Sequence, residues 1–126
     1  MQDIGILILR VCTGAFMLFG HGIGKVEKFG QLTSSFPDPM ALGPKASLIL
    51  AIFAEVVCST LLILGLKTRF VAVPLLVTML VATFIVHAAD PWAKQEFALL
   101  YAIPFASLVL MGGGRFSLDQ LINKRT

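Results

Sequence analysis

Charge is what this sequence has least of. Asp, Glu, Lys and Arg together supply 13% of the 126 residues, against roughly 25% in an average soluble domain. A water-facing surface of this length cannot be built from so few charges, which excludes an ordinary soluble domain. Cysteine is nearly absent too. Cys12 and Cys58 both fall inside apolar stretches, no CxxC occurs, and no Cys/His cluster has zinc spacing. A disulfide scaffold is excluded and no metal site is expected. The net charge of +3 is small and scattered, so no nucleic-acid binding is expected. Met1-Gln2-Asp3 carries no basic side chain and Arg10 interrupts the first apolar run, a pattern unlike a cleavable signal.

What is abundant is apolar sequence, 57% of the chain. A helix crossing a hydrocarbon layer of about 30 Å needs about 20 mostly apolar residues. Four stretches have that character: 4–22, 46–66, 70–89 and 96–113. Isolated strands cannot span a bilayer, and a closed barrel needs alternating polarity, which LLILGL and FASLVLM lack. The expected fold is therefore all-α: one membrane domain over 1–126, an integral four-helix bundle in a lipid bilayer.

The connections carry their own signals. Segment 22–45 contains Phe36-Pro37-Asp38-Pro39 and Gly43-Pro44, turn chemistry that predicts a partly ordered cap on the outer face, with one short helix around 25–29. Gly65 stands where a helix C-terminus uses glycine. Ser117 precedes Gln120 by the capping-box spacing. Leu118, Leu121 and Ile122 then share a face opposite Asp119 and Lys124, which predicts a short C-terminal interfacial helix. With four spans both termini share a side with Lys67, Arg69, Arg115, Lys124 and Arg125, against Lys25, Lys28, Lys45 and Lys94 on the other. The positive-inside rule then favours cytoplasmic termini.

Ionisable residues inside an apolar layer are informative, because one at mid-bilayer costs roughly 2.5–3.5 kcal/mol on insertion scales and so faces protein or trapped water. Arg10, Gly14, Met17, His21 and Lys25 recur at spacings of four, three, four and four, one face of a helix. Arg10 either snorkels to headgroups or points into the bundle. Glu55 sits mid-span, where a carboxyl must be neutral or paired; Arg10 is a candidate partner. Such an acid either fixes helix packing or exchanges a proton or binds a ligand. His21 and Lys25 close the first span at the level where His87 closes the third, followed by Asp90, Trp92, Lys94 and Glu96. These residues could line an outward-opening pocket with Glu55 at its floor. Their ordinary alternatives are interfacial hydrogen bonding for the histidines, anchoring for Trp92 and a favourable helix N-terminus for Glu96. Two histidines at one level also raise bis-histidine haem, which usually sits deeper. Cys12 is rotated about 200° from Arg10, which argues against a dithiol centre with Cys58.

Gly20-His21-Gly22-x-x-Lys25, Ala54-Glu55 leading into Leu61-Leu62-Ile63-Leu64-Gly65-Leu66-Lys67-Thr68-Arg69, His87, Glu96-Phe97-Ala98-Leu99-Leu100, and Gly112-Gly113-Gly114-Arg115-Phe116-Ser117-Leu118-Asp119 together resemble the DoxX family of small bacterial membrane proteins. The resemblance implies a four-helix inner-membrane fold and covers almost the whole chain. It also implies a link to redox chemistry, since the family name derives from a subunit of a quinone-reducing thiosulfate oxidation system and relatives are associated with redox stress. Many members have no established activity. The family's polar positions fall on His21, Lys25, Glu55, His87 and Glu96; the cysteines lie outside the pattern.

The leading expectation is a redox-associated membrane protein holding a quinone or similar small apolar ligand. Glu55, His21 and His87 would carry the chemistry, and Arg10, Lys25, Glu96 and Met17 would help to bind. No cofactor motif is evident, so electrons would come from a redox partner protein. The rival expectations are a small transporter, which with four spans would need a homo-oligomer, and a structural partner of a membrane redox complex.

Overall fold

The computed structural model describes residues 1–125, and side chains as far as Asn123. Six helices, and no strand among the described residues, make up the fold: α1 (Gln2–Glu27), α2 (Phe29–Leu32), α3 (Pro44–Leu64), α4 (Thr68–Val86), α5 (Trp92–Met111) and α6 (Leu118–Arg125). Helices α1, α3, α4 and α5 are each long and apolar enough to cross a membrane. They run alternately up and down, with α1 against α3 and α5, and α4 against α3 and α5. The expected four-span bundle is the observed one.

Its core is thin, as befits a bundle solvated by lipid. Met17, Ala54, Cys58, Leu62, Ala72, Leu75, Ala102, Phe105 and Leu108 fill the centre. Phe16, Phe19, Val57, Phe70, Phe84 and Leu110 point outward, an apolar surface that water would not tolerate and hydrocarbon does. Cys12 is exposed and Cys58 buried, both free thiols.

The helix ends differ in detail from the sequence reading. Helix α1 runs on to Glu27 rather than stopping at 22, because the polar His21 and Lys25 turn into the bundle. Helix α5 starts at Trp92 behind Pro91, so Glu96 lies in the second turn and caps nothing. The short helix of the cap is α2, set off from α1 by a break at Lys28.

Helix α1 is staggered against α3. Gly14 lies against Ser59 and Ile63, and Gly22 against Glu55; a Cβ on Gly22 would come within 2.6 Å of the Glu55 carbonyl oxygen. This register carries the first two turns of α1 past the end of α3, alongside the C-terminal segment. Arg10 therefore does not meet Glu55. It is 1% exposed, and its Nη1 donates to the carbonyls of Leu62 at 3.0 Å and Ile63 at 2.7 Å, while Nη2 donates to that of Phe116. The expected Arg10–Glu55 pair is replaced by a cation closing the C-terminus of α3, whose last carbonyls have no helical donor and whose dipole favours positive charge.

Gly65 completes that end. Its φ of 73° and the bonds from Leu66 N to Leu61 O and Gly65 N to Leu62 O, each 3.0 Å, form a Schellman motif. A Cβ there would sit 2.5 Å from Arg10 Nη1, so the position demands glycine twice over. The tail returns to the same place. Asp119 accepts from the amides of Lys67 at 2.6 Å and Thr68 at 2.9 Å, capping α4 from 51 residues away. Its own amide donates to the Gly65 carbonyl at 3.0 Å. Of the capping box expected at Ser117, the N-cap half is present, with Gln120 N donating to Ser117 Oγ at 3.4 Å. Leu121 and Ile122 are exposed, as an interfacial helix requires; Lys124, expected on its polar face, lies outside the described side chains.

Replacing Arg10 with leucine would leave the carbonyls of Ile63 and Phe116 without a donor, and that of Leu62 with the Gly65 amide alone, at about 1–3 kcal/mol per group stranded in the interior. We expect Arg10→Leu to lower stability in detergent by roughly 2 kcal/mol or more, and Gly65→Ala to be destabilised as well, by thermal or denaturant unfolding. An Arg10→Leu protein as stable as the parent would contradict this account.

Candidate functional site

The opposite end of the bundle is built to leave space. Helices α1, α3 and α4 each contain one wide π-type turn, at Leu18–Gly22, Phe53–Cys58 and Ala82–Val86. In the third, His87 N reaches back five residues to Ala82 O at 2.9 Å. Such turns cost hydrogen-bond geometry and are retained where they re-aim side chains, often at functional sites. Here they bracket His21, Glu55 and His87.

The space between them is a cavity of about 380 Å³, within the usual range for small-molecule sites. Its walls are mostly apolar, with Met17, Leu50, Ala51, Met79, Val86 and Phe97 among them. The loop 33–43 roofs it with Phe36, Pro37, Pro39, Met40 and Leu42. The polar groups are few: His21, Lys25, Ser47, Glu55, Thr78, His87, Lys94 and Tyr101.

Six of the residues singled out from the sequence meet here: Met17, His21, Lys25, Glu55, His87 and Lys94. Arg10 and Glu96 do not. Arg10 is bound at the other end, and Glu96 is exposed outside the cavity lining. The partner of Glu55 is Lys25, whose Nζ donates to Oε1 at 2.7 Å. The Glu55 side chain is 3% exposed and that of Lys25 21%. The carboxylate is thus the hidden member, and the cavity floor presents an ammonium group. The π turn at Phe53–Cys58 and the close approach of Gly22 bring the two together.

His21 stands beside that ammonium in an aromatic corner. Its ring centroid is 5.5 Å from Phe97 and 5.5 Å from Tyr101, the latter edge-on at 89°. At the rim His87 Nδ1 and Asp90 Oδ2 are 2.6 Å apart. This bond to His87 is the main reason the Asp90 carboxyl is held below its usual range.

The roof has a latch that the sequence reading missed. Asp38 accepts from Ser47 Oγ at 2.8 Å, Leu42 N at 2.9 Å and Gly43 N at 2.9 Å. The Ser47 hydroxyl first, and the two amides after it, lower the Asp38 pKa. The local cue was an Asp opening a Pro/Gly turn just before a helix. Tyr101 was also overlooked, although it is the chain's single tyrosine and carries a polar handle inside an apolar span.

A four-span membrane bundle with a roofed, polar-floored cavity at one end is the class that these observations define. The family model described as DoxX matches residues 5–88, and the chain belongs to the DoxX family. An uncharacterized protein of Haemophilus influenzae is 32% identical over 136 residues, covering 98% of this chain and 89% of its own length. A second from the same organism is 37% identical over 122 residues, covering 88% and 86%. An uncharacterized membrane protein of Mycobacterium tuberculosis is 37% identical over 87 residues, covering 56% and 52%. No solved structure matches.

Two outcomes are expected from the site's electrostatics. Removing one member of a buried pair strands the other, at about 3–5 kcal/mol, whereas removing both does not. Lys25→Met should therefore destabilise the protein in detergent more than Lys25→Met/Glu55→Gln does; a double variant as weak as the sum of the single ones would exclude the pairing. The Asp38 latch follows the sign for a depressed carboxylate. Its contribution is present above the unfolded pKa and is lost as pH falls through the folded one. Limited proteolysis within 33–43 should accelerate on acidification, and Asp38→Asn should be cut readily at neutral pH.

Proposed function

We propose that this protein binds a small apolar molecule with a carbonyl-bearing head, a quinone being the best fit, in the roofed cavity. The observation that carries the reading is the floor: the Lys25 ammonium, backed by a hidden Glu55 carboxylate at 2.7 Å, beside the ring of His21, in otherwise apolar walls. A convergent pair of donors in an apolar cavity suits an oxygen atom on a flat hydrophobic body.

The residue roles follow from that geometry. Lys25 and His21 are placed to donate to one ligand oxygen, and Lys25 would stabilise negative charge growing there. Glu55 is a positioning residue, holding the ammonium in place. Phe97 and Tyr101 offer the ring a stacking surface. His87, tied to Asp90, stands at the rim beneath the roof. Of the residues expected to bind, Met17 is a wall and Arg10 and Glu96 have no part. A bound quinone would supply a two-electron, two-proton acceptor, with electrons delivered by a partner redox protein. Placement in a bacterial inner membrane, with both termini cytoplasmic, belongs to the same proposal and rests on the distribution of Lys and Arg.

The test is binding to the purified protein. A benzoquinone or naphthoquinone with a short alkyl tail should raise the unfolding temperature of the parent. The shift should be lost in Lys25→Met/Glu55→Gln and in His21→Ala, with helicity unchanged. Absence of any quinone in an organic extract, together with no thermal shift, would refute the proposal.

A further inference from the structure

The end of the bundle that holds the termini carries a second concavity, unconnected with the cavity above. It is a groove of about 800 Å³ between the turn at Lys67-Thr68-Arg69, the Gly112-Gly113-Gly114 turn and α6. Lys67, Arg69 and Arg115 line it, and all three are exposed.

The acids in the same groove are already committed. Both Asp119 oxygens accept backbone amides, from Lys67 and Thr68, and Asp3 Oδ1 accepts Arg115 N at 3.2 Å. The ion pairs among the described residues are Lys25–Glu55 and His87–Asp90, both at the other end. Three cations against two carboxylates leave the groove with an excess of positive charge, and three of the four carboxylate oxygens are already engaged by backbone amides.

A further group is left over. Thr68 is 0% exposed, lines the groove, and its Oγ1 has no hydrogen-bond partner. Buried hydroxyls ordinarily find one. The Arg69 guanidinium lies close over Gly112, where a Cβ would come within 3.0 Å of Nε. Guanidinium and ammonium groups lining one groove over a buried hydroxyl, none of them in an ion pair among the described residues, suit a phosphate.

The rim identifies which phosphate. Phe70 is 76% exposed, and Met111 and Ile122, also exposed, line the groove with it. Phe70 and Met111 end spans, and Ile122 lies on α6. A soluble phosphate has no use for such a border, whereas acyl chains do.

We propose that this groove binds the phosphate of an anionic phospholipid, with the acyl chains against Phe70 and Met111. The lipid would tie together the α3–α4 turn, the glycine turn and α6, the segments that close this end of the bundle.

The test compares the purified full chain in mixed micelles containing phosphatidylglycerol or phosphatidylcholine with identical acyl chains. Phosphatidylglycerol should raise the unfolding temperature more. In native mass spectrometry of the parent with equal amounts of both lipids it should be retained in preference by about fivefold or more, the gain expected from even one engaged cation. Arg69→Gln/Arg115→Gln should abolish both effects, while Lys28→Gln/Lys45→Gln, with the same change of charge at the opposite end, should preserve them. Equal retention of the two lipids by the parent would overturn the proposal without recourse to any variant. So would an undiminished preference in Arg69→Gln/Arg115→Gln, or equal stabilisation by millimolar inorganic phosphate alone.

Discussion

A charge carried into hydrocarbon must be answered by protein atoms, and the two such charges nearest the bundle's interior are answered in different ways. Arg10 is met by three backbone carbonyls, Glu55 by one lysine. The first solution uses up everything around it. The carbonyls, Gly65 and the tail leave no room for a ligand, so Arg10 is structural. The second leaves its cation facing open space. The molecule is thereby divided into an end whose interior is closed by hydrogen bonds, with a groove only on its surface, and an end whose interior can receive something.

The division explains why the family-like motifs of this chain do not all mark a site. The Gly65-Leu66-Lys67-Thr68-Arg69 turn and the Arg115-Phe116-Ser117-Leu118-Asp119 tail form one knot, in which Asp119 caps α4 and Arg10 caps α3. Gly20-His21-Gly22-x-x-Lys25 and Ala54-Glu55 instead meet at the cavity. Gly22 is there because α1 and α3 touch at that level, and only that contact lets Lys25 reach Glu55.

Much of this was legible in the sequence. Apolar length gave the four spans, the polar stripe gave the inward face of α1, and Gly65 and Ser117 gave two helix termini. The partner of Glu55 was not legible, for a physical reason. Pairing Arg10 with Glu55 assumes that α1 and α3 begin and end at the same depth, and span lengths do not fix that register. The glycine contacts fix it, by setting Gly14 against Ser59 and Gly22 against Glu55, which lowers Arg10 to the end of α3. The π turns and the Asp38 latch were likewise hidden, because both depend on hydrogen bonds that residue spacing does not specify. Glu96 was misplaced through a helix start set four residues too late.

The knot at the terminal end also has a consequence in time. Its parts come from residue 10, residues 62–68 and residues 116–119, so the first basic side chain of the bundle waits for an acceptor made 106 residues later. While the chain emerges from a ribosome, all four spans can be in the bilayer with Arg10 still lacking its Phe116 acceptor and the first amides of α4 still lacking Asp119. The nascent bundle is thus an open assembly until residues 116–119 arrive. A chain cut short before residue 119 would hold every span and yet present the unpaired polar groups by which a cell's membrane proteases can distinguish an unfinished protein from a finished one.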